Sequence, residues 1–153
     1  MSILPSKVIK AGAIVGTLDI LAACTYYAIK TGGSNPLNVL KFVAAGVFGK
    51  DASTGGGMMI LAGLIFHYCI AFAFTVFFFW LFSKTLVLAR NKIMTGVLYG
   101  IFIWTVMNLV VIPLSNIPPR PFNVVNSIIN AVILIVCIGL PLSFMANKSF
   151  AKT

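Results

Sequence analysis

Apolar and polar positions along the chain separate into four long apolar blocks and short stretches that carry nearly all of the charge. The blocks span about residues 11–29, 58–82, 93–112 and 124–146. Each is close to the roughly 20 apolar residues that a helix rising about 1.5 Å per residue needs to cross a hydrocarbon layer about 30 Å thick. Bases bracket them: Lys7 and Lys10 precede the first block and Lys30 follows it, Lys84 closes the second, and Lys148 and Lys152 follow the fourth. Trp80, near the end of the aromatic-rich "FAFTVFFFWLF", stands where an interfacial aromatic belongs. The pattern predicts an all-α membrane protein with four transmembrane helices, residues 1–153 forming one domain with no room for a separate soluble one.

Two connectors carry more pattern than a turn requires. Between the first two blocks, "TGGSNPLNVLKFVAAGVFGKDASTGGG" offers Asn35 as a cap, Pro36 as a first helical position and Gly55 to Gly57 as a stop. Leu37, Leu40, Ala44, Val47 and Phe48 fall on one face, which predicts a short helix over about 36–49. Such a segment is too short to span a bilayer, so it is expected to be interfacial or re-entrant, the interfacial form being favoured. The connector "PLSNIPPRPF" holds four prolines and should be stiff, with Asn123 behind it as the cap of the last helix. Arg120 and Asn123 are the candidates for an outer loop site.

Composition agrees with the pattern. Hydrophobic residues make up 60% of the chain and charged ones 8%, against about half and about a quarter in soluble domains. Eleven Lys and Arg against two acids give a formal charge of +9, a balance that in a soluble protein would suggest nucleic acid. Here the bases stand singly between apolar blocks, so they read as orientation signals and contacts to anionic lipid headgroups, and no nucleic-acid partner is expected. With four spans, Lys7, Lys10, Lys84, Arg90, Lys92, Lys148 and Lys152 share one face, while Lys30, Lys41, Lys50 and Arg120 share the other. The first face should be cytoplasmic, with both termini on it. Cys24, Cys69 and Cys137 lie within apolar blocks, lack metal-ligand spacing and read as packing residues.

"GTLDILAAC" raises the question of a cleaved signal, because "LAAC" is similar to a bacterial lipobox. Asp19 lies too close to the cysteine for that, and "TYYAIK" continues the apolar block in place of a polar tether. The segment is therefore expected to remain as the first span, with Asp19 in the mature protein.

A carboxylic acid in mid-span costs on the order of 3 kcal/mol and usually faces the bundle interior or water. Asp19 shares a face with Gly12, Gly16 and Ala23, a small-residue stripe that aims it at another helix. Gly96 and Gly100 form a second GxxxG at the corresponding depth of the third span, which predicts close approach of the first and third helices. His67 lies in the middle of the second span, between Gly63 and Ala71 on one face. Asn123, Asn126 and Asn130 stripe the outer half of the fourth span, and Asn108 lies at a similar depth in the third. Asp19, His67, Asn108, Asn126 and Asn130 thus form a candidate polar cluster between mid-membrane and the outer face. It reads either as a hydrogen-bond network locking the bundle or as a polar cavity beneath the Pro-rich loop, and the cost of the acid favours the cavity.

No GxSxG, HExxH, paired carboxylates or phosphate-binding glycine loop is present, so no catalytic residues, metal ligands or cofactor are assigned and an enzyme is disfavoured.

The motifs "GTLDI", "NPLNVLKFVAAGVFGK", "IFHYCIAFAF" and "MNLVVIPLSNIPPRPFN" resemble those of small bacterial inner-membrane proteins with a GTLD first span. In the histidine-containing second span and the Pro-rich connector the chain is similar to the YagU-like family, from which it departs after the first helix. The resemblance implies a four-helix protein of the bacterial inner membrane and brings no catalytic residues. The expected role is an accessory or interaction subunit, with a larger membrane complex or a homo-oligomer as partner. The alternative is a proton-coupled small-solute channel or carrier using Asp19 and His67.

Overall fold

The computed structural model describes residues 5–85, 90–119, 121 and 123–150, and among these it contains helices and no strand. Four helices are long and apolar enough to cross a membrane: Pro5–Lys30, Gly57–Lys84, Lys92–Leu114 and Val124–Ser149. They are called the first to fourth spans below. Each extends beyond its apolar block, because flanking lysines are good helix formers that end the hydrophobic run without ending the hydrogen-bond ladder.

Local chemistry sets the boundaries. The Asn91 side chain accepts from the Met94 N–H and begins the third span, and the Asn123 side chain accepts from the Asn126 N–H and begins the fourth. The short helix covers Asn38–Phe48. Asn35 initiates the turn before it, its side chain accepting from the Leu37 N–H at 3.0 Å. Gly49, at φ 59°, ends it in a conformation that a side chain would strain. A single helical turn, Asp51–Thr54, follows before the second span.

The spans pack in chain order around the bundle. Gly12 faces the Phe72 ring, and Gly16 faces Tyr68 and Ala71, joining the first span to the second. The second and third meet through rings: Phe78 and Tyr99 at 4.5 Å, Phe77 and Phe102 at 5.6 Å. The Tyr99 hydroxyl also donates to the Phe74 carbonyl at 2.6 Å.

The second GxxxG corrects the expectation drawn from it. Gly96 and Gly100 meet the fourth span, where a Cβ on Gly96 would press on Leu140 and Gly139 and one on Gly100 on Ile135. Gly139 supplies the matching small surface, so two glycine-bearing backbones close on each other and the first span takes its close contact from the second.

The packed core lies in the half of the bundle that carries the chain termini, called here the terminal half. Val8, Ala11, Val15, Phe78, Phe79, Phe82, Tyr99, Ile103, Ile138, Leu142 and Ala146 form it. Lys7 donates to the Ser149 carbonyl and Ser143 to the Lys92 carbonyl, tying the ends together. The far half is built differently: Met107–Val111, Ile112–Leu114 and Val124–Leu134 contain no buried residue. There the short helix leans on the second span, with the Leu40 carbonyl directly over Gly63 and Phe48 against Phe66. Asn116 fastens the Pro-rich connector to the end of the short helix, donating from its backbone to the Gly46 carbonyl and from its side chain to the Val47 carbonyl.

Candidate functional site

On the first span, Ala11, Gly12, Val15 and Gly16 are buried, while Ala22, Ala23 and Tyr26 are half-buried. All lie on or beside one helical face, and half-buried Asp19 sits on that face at the change from closed to open packing. The GxxxG stripe explains the approach: without side chains at Gly12 and Gly16, the second span comes close enough to bring its buried histidine to the first span's backbone.

His67 is 2.8 Å from the Gly16 carbonyl oxygen through Nε2. A carbonyl can only accept, so Nε2 carries a proton and donates, leaving Nδ1 as the nitrogen whose proton can change. Beside it, the Thr17 and Tyr68 hydroxyls are 2.8 Å apart; Thr17 also donates to the Ala13 carbonyl, so the Tyr68 hydroxyl is the donor between them. Asp19 lies within electrostatic reach of both His67 and Cys137. Among the described residues its carboxylate accepts no hydrogen bond, which in an apolar bundle is costly unless water or a ligand reaches it.

The fourth span brings Cys137 to this level through a π-helical turn, Ile135–Gly139. The third span has its own at Met107–Val111. Such turns insert one extra residue, rotate the rest of the helix and are frequent at functional sites. Both turns end two residues before a proline, Pro113 in the third span and Pro141 in the fourth, whose missing N–H breaks the regular ladder.

The asparagines divide. Asn126 accepts from the Tyr26 hydroxyl at 2.7 Å, joining the far ends of the fourth and first spans. Asn130, one turn deeper on the same face, is exposed, although Val125, Ile128 and Val132 show that the outward side of this helix is elsewhere. A bundle-facing yet exposed residue means that the far half holds accessible space between the spans. Asn108 donates to the Trp104 carbonyl of its own helix and, among the described residues, bonds to no other span. The Trp104 indole N–H is buried without a partner. Asn123 is used as a cap, and Arg120 lies outside the described residues.

The structure thus brings Asp19 and His67 together and places Asn126 and Asn130 on the wall above them, while Asn108 stands apart. Sequence reasoning missed Tyr26, Cys137 and Asn116. Tyr26 alone carried a usable signal, since it lies seven residues after Asp19 on the same face. No group of three or more His, Cys, Asp or Glu that could hold a metal ion occurs among the described residues. Comparison with family models, curated proteins and solved structures finds no match for this chain.

Proposed function

We propose that this multi-pass membrane protein is a proton-coupled carrier of a small polar solute, working in the bacterial inner membrane with both termini in the cytoplasm. The observation that carries the proposal is the position of Asp19, between the packed core of the terminal half and a far half in which Met107–Leu114 and Val124–Leu134 bury no residue, its buried cluster of Ala44, Ala45 and Ala52 belonging to the short helix and the turn after it. A carrier facing outward has that form, with access from one side, a packed barrier on the other and an ionisable group between them. Asp19 would take up and release the proton, His67 would exchange through Nδ1, and Asn126, Asn130 and Tyr26 would line the approach. The orientation rests on the excess of bases at the terminal end, and the membrane on the resemblance to small inner-membrane proteins with a GTLD first span.

Reconstitution tests it. In vesicles with an imposed membrane potential, an internal pH dye and a mixture of amino acids, sugars and short carboxylates supplied outside, the wild type should pass protons faster than empty vesicles. Asp19→Asn should return the rate to background while leaving the thermal unfolding midpoint within a few degrees. Wild-type flux no greater than that of empty vesicles, or full flux in Asp19→Asn, would refute the carrier.

An accessory or interaction subunit is the second reading, supported by the glycine seams and the Tyr26–Asn126 bond, which make the bundle a rigid scaffold. It predicts a stoichiometric larger partner on mild purification and no flux from the isolated chain.

A further inference from the structure

Between the second and third spans, a laterally open groove of about 240 Å³ is lined by Ala73, Phe74, Phe77 and Phe102. Its walls are firm. Phe102 stacks on Phe77 and on Tyr99, Trp80 stacks on Phe77, and the Tyr99 hydroxyl occupies the Phe74 carbonyl, so the groove offers hydrocarbon a fixed aromatic surface. Ala73, Phe77, Trp80 and Phe102 are exposed, which in a bilayer places the groove against lipid.

At the terminal end, the same two helices finish in bases. Lys84 closes the second span, Lys92 opens the third, and Arg90 stands between them, all exposed. The chain's two acidic side chains, Asp19 and Asp51, belong to mid-span and to the far end, so no Asp or Glu side chain stands beside these bases. Phe77 lies about 10 Å along the helix from Lys84, and Ala73 about 16 Å, near the middle of a hydrocarbon layer about 30 Å thick. A chain lying in the groove therefore belongs to a lipid whose headgroup is at the level of the three bases.

We propose that the groove holds an acyl chain of an anionic membrane phospholipid whose headgroup is bound by Lys84, Arg90 and Lys92. The bases select the headgroup by charge, and the rings hold the chain. The site does not depend on the carrier reading, nor on which leaflet faces the cytoplasm.

The test uses Trp80 as the reporter, in a Trp104→Phe protein reconstituted into phosphatidylcholine vesicles. A small fraction of chain-brominated phosphatidylglycerol should quench Trp80 several-fold more effectively than the same fraction of brominated phosphatidylcholine. Lys84→Gln with Lys92→Gln should remove most of that preference, bringing quenching by the two lipids close to equal. Ala73→Leu, which fills the groove, should abolish it while leaving the helical circular dichroism unchanged. Equal quenching by the two lipids, or a preference untouched by the basic substitutions or by Ala73→Leu, would overturn the proposal. Native mass spectrometry of the wild type from a mixture of the two lipids reads the same property without a tryptophan substitution. Retained phosphatidylglycerol is expected, and equal retention of both lipids would equally overturn it.

Discussion

His67 reaches the carbonyl of a glycine, Gly16, whose bare Cα lets Tyr68 and Ala71 of the second span pack close to the first span beside that bond. That carbonyl also lies within the helix ladder, and the bond from His67 adds a second donor to an acceptor with two lone pairs. Removing it leaves no orphaned carbonyl, and the loss should be modest. His67→Leu is expected to lower stability by about 0.6 kcal/mol and by no more than about 1.7 kcal/mol, the mean and the maximum for interhelical polar bonds in a membrane. His67→Gln, whose amide can donate to the same oxygen, should recover most of it. Unfolding of the two variants in the same lipid or micelle checks this, and a Gln variant no more stable than the Leu variant would deny the bond any part in stability. Asp19 contrasts with His67, because its carboxylate accepts no hydrogen bond among the described residues. Asp19→Asn should therefore hold or raise stability in the same assay, and a loss beyond about 1 kcal/mol would mean that the carboxylate has a structural partner.

At the level of elements, the glycines decide which helices meet. A Cβ on Gly139 would fall on the Gly96 carbonyl and one on Gly63 on the Leu40 carbonyl, in each case against backbone that cannot rotate away. Gly139→Ala should cost about 1 to 3 kcal/mol as overpacking by forcing the third and fourth spans apart. Gly63→Ala should cost a similar amount by lifting the short helix from the second span. Gly57→Ala, with nothing within 4 Å at the first residue of the second span, is the control and should not lower stability. Thermal unfolding of the three variants separates seam from open surface, and equal midpoints would mean that these contacts do not govern stability. The same residues show what the sequence could and could not disclose. Helix existence was legible because four apolar blocks of the right length have one structural solution in lipid. Caps at Asn91 and Asn123 follow from local chemistry, and the latter was expected. Pairing was not legible, since a GxxxG stripe states that something comes close and leaves the partner unstated. Gly139 is the one glycine of the fourth span, and with Ser143 four residues on it makes a small-xxx-small pair that sequence reasoning passed over. The π-helical turns at Met107–Val111 and Ile135–Gly139 each end two residues before a proline, Pro113 or Pro141, whose missing N–H breaks the ladder, so the sequence marked where these helices are irregular but not the form the irregularity takes. Matching depths put Asp19 and His67 at the same level of the membrane, while the Gly12–Gly16 face, expected to meet the third span, meets the second.

Over the whole molecule, the two halves of the bundle differ in packing, and the proposed access route depends on that difference. Ala11 and Val15 have no accessible surface in the terminal half, while Asn130, on the bundle-facing side of the fourth span, is exposed in the far half. Maleimide reacts with a thiolate, and a thiolate forms only where water reaches the sulfur, so chemical labelling reports the boundary directly. In a protein with Cys24, Cys69 and Cys137 replaced by alanine, Asn130→Cys should be labelled by a membrane-impermeant maleimide applied from the side opposite the termini. Ala11→Cys should be silent from either side until the protein is denatured. Asn130 lies about 9 Å along the helix from its start at Val124, so labelling there requires water well inside the span and excludes reaction at the rim alone. If Asn130→Cys stays unreactive while Ser34→Cys, in the far-end connector, reacts, the far half is closed to water and Asp19 has no aqueous route from that side. The carrier would then lose its path. If both react and Ala11→Cys does not, water enters from one side and stops near Asp19, as a proton-coupled site with a sealed inner barrier requires.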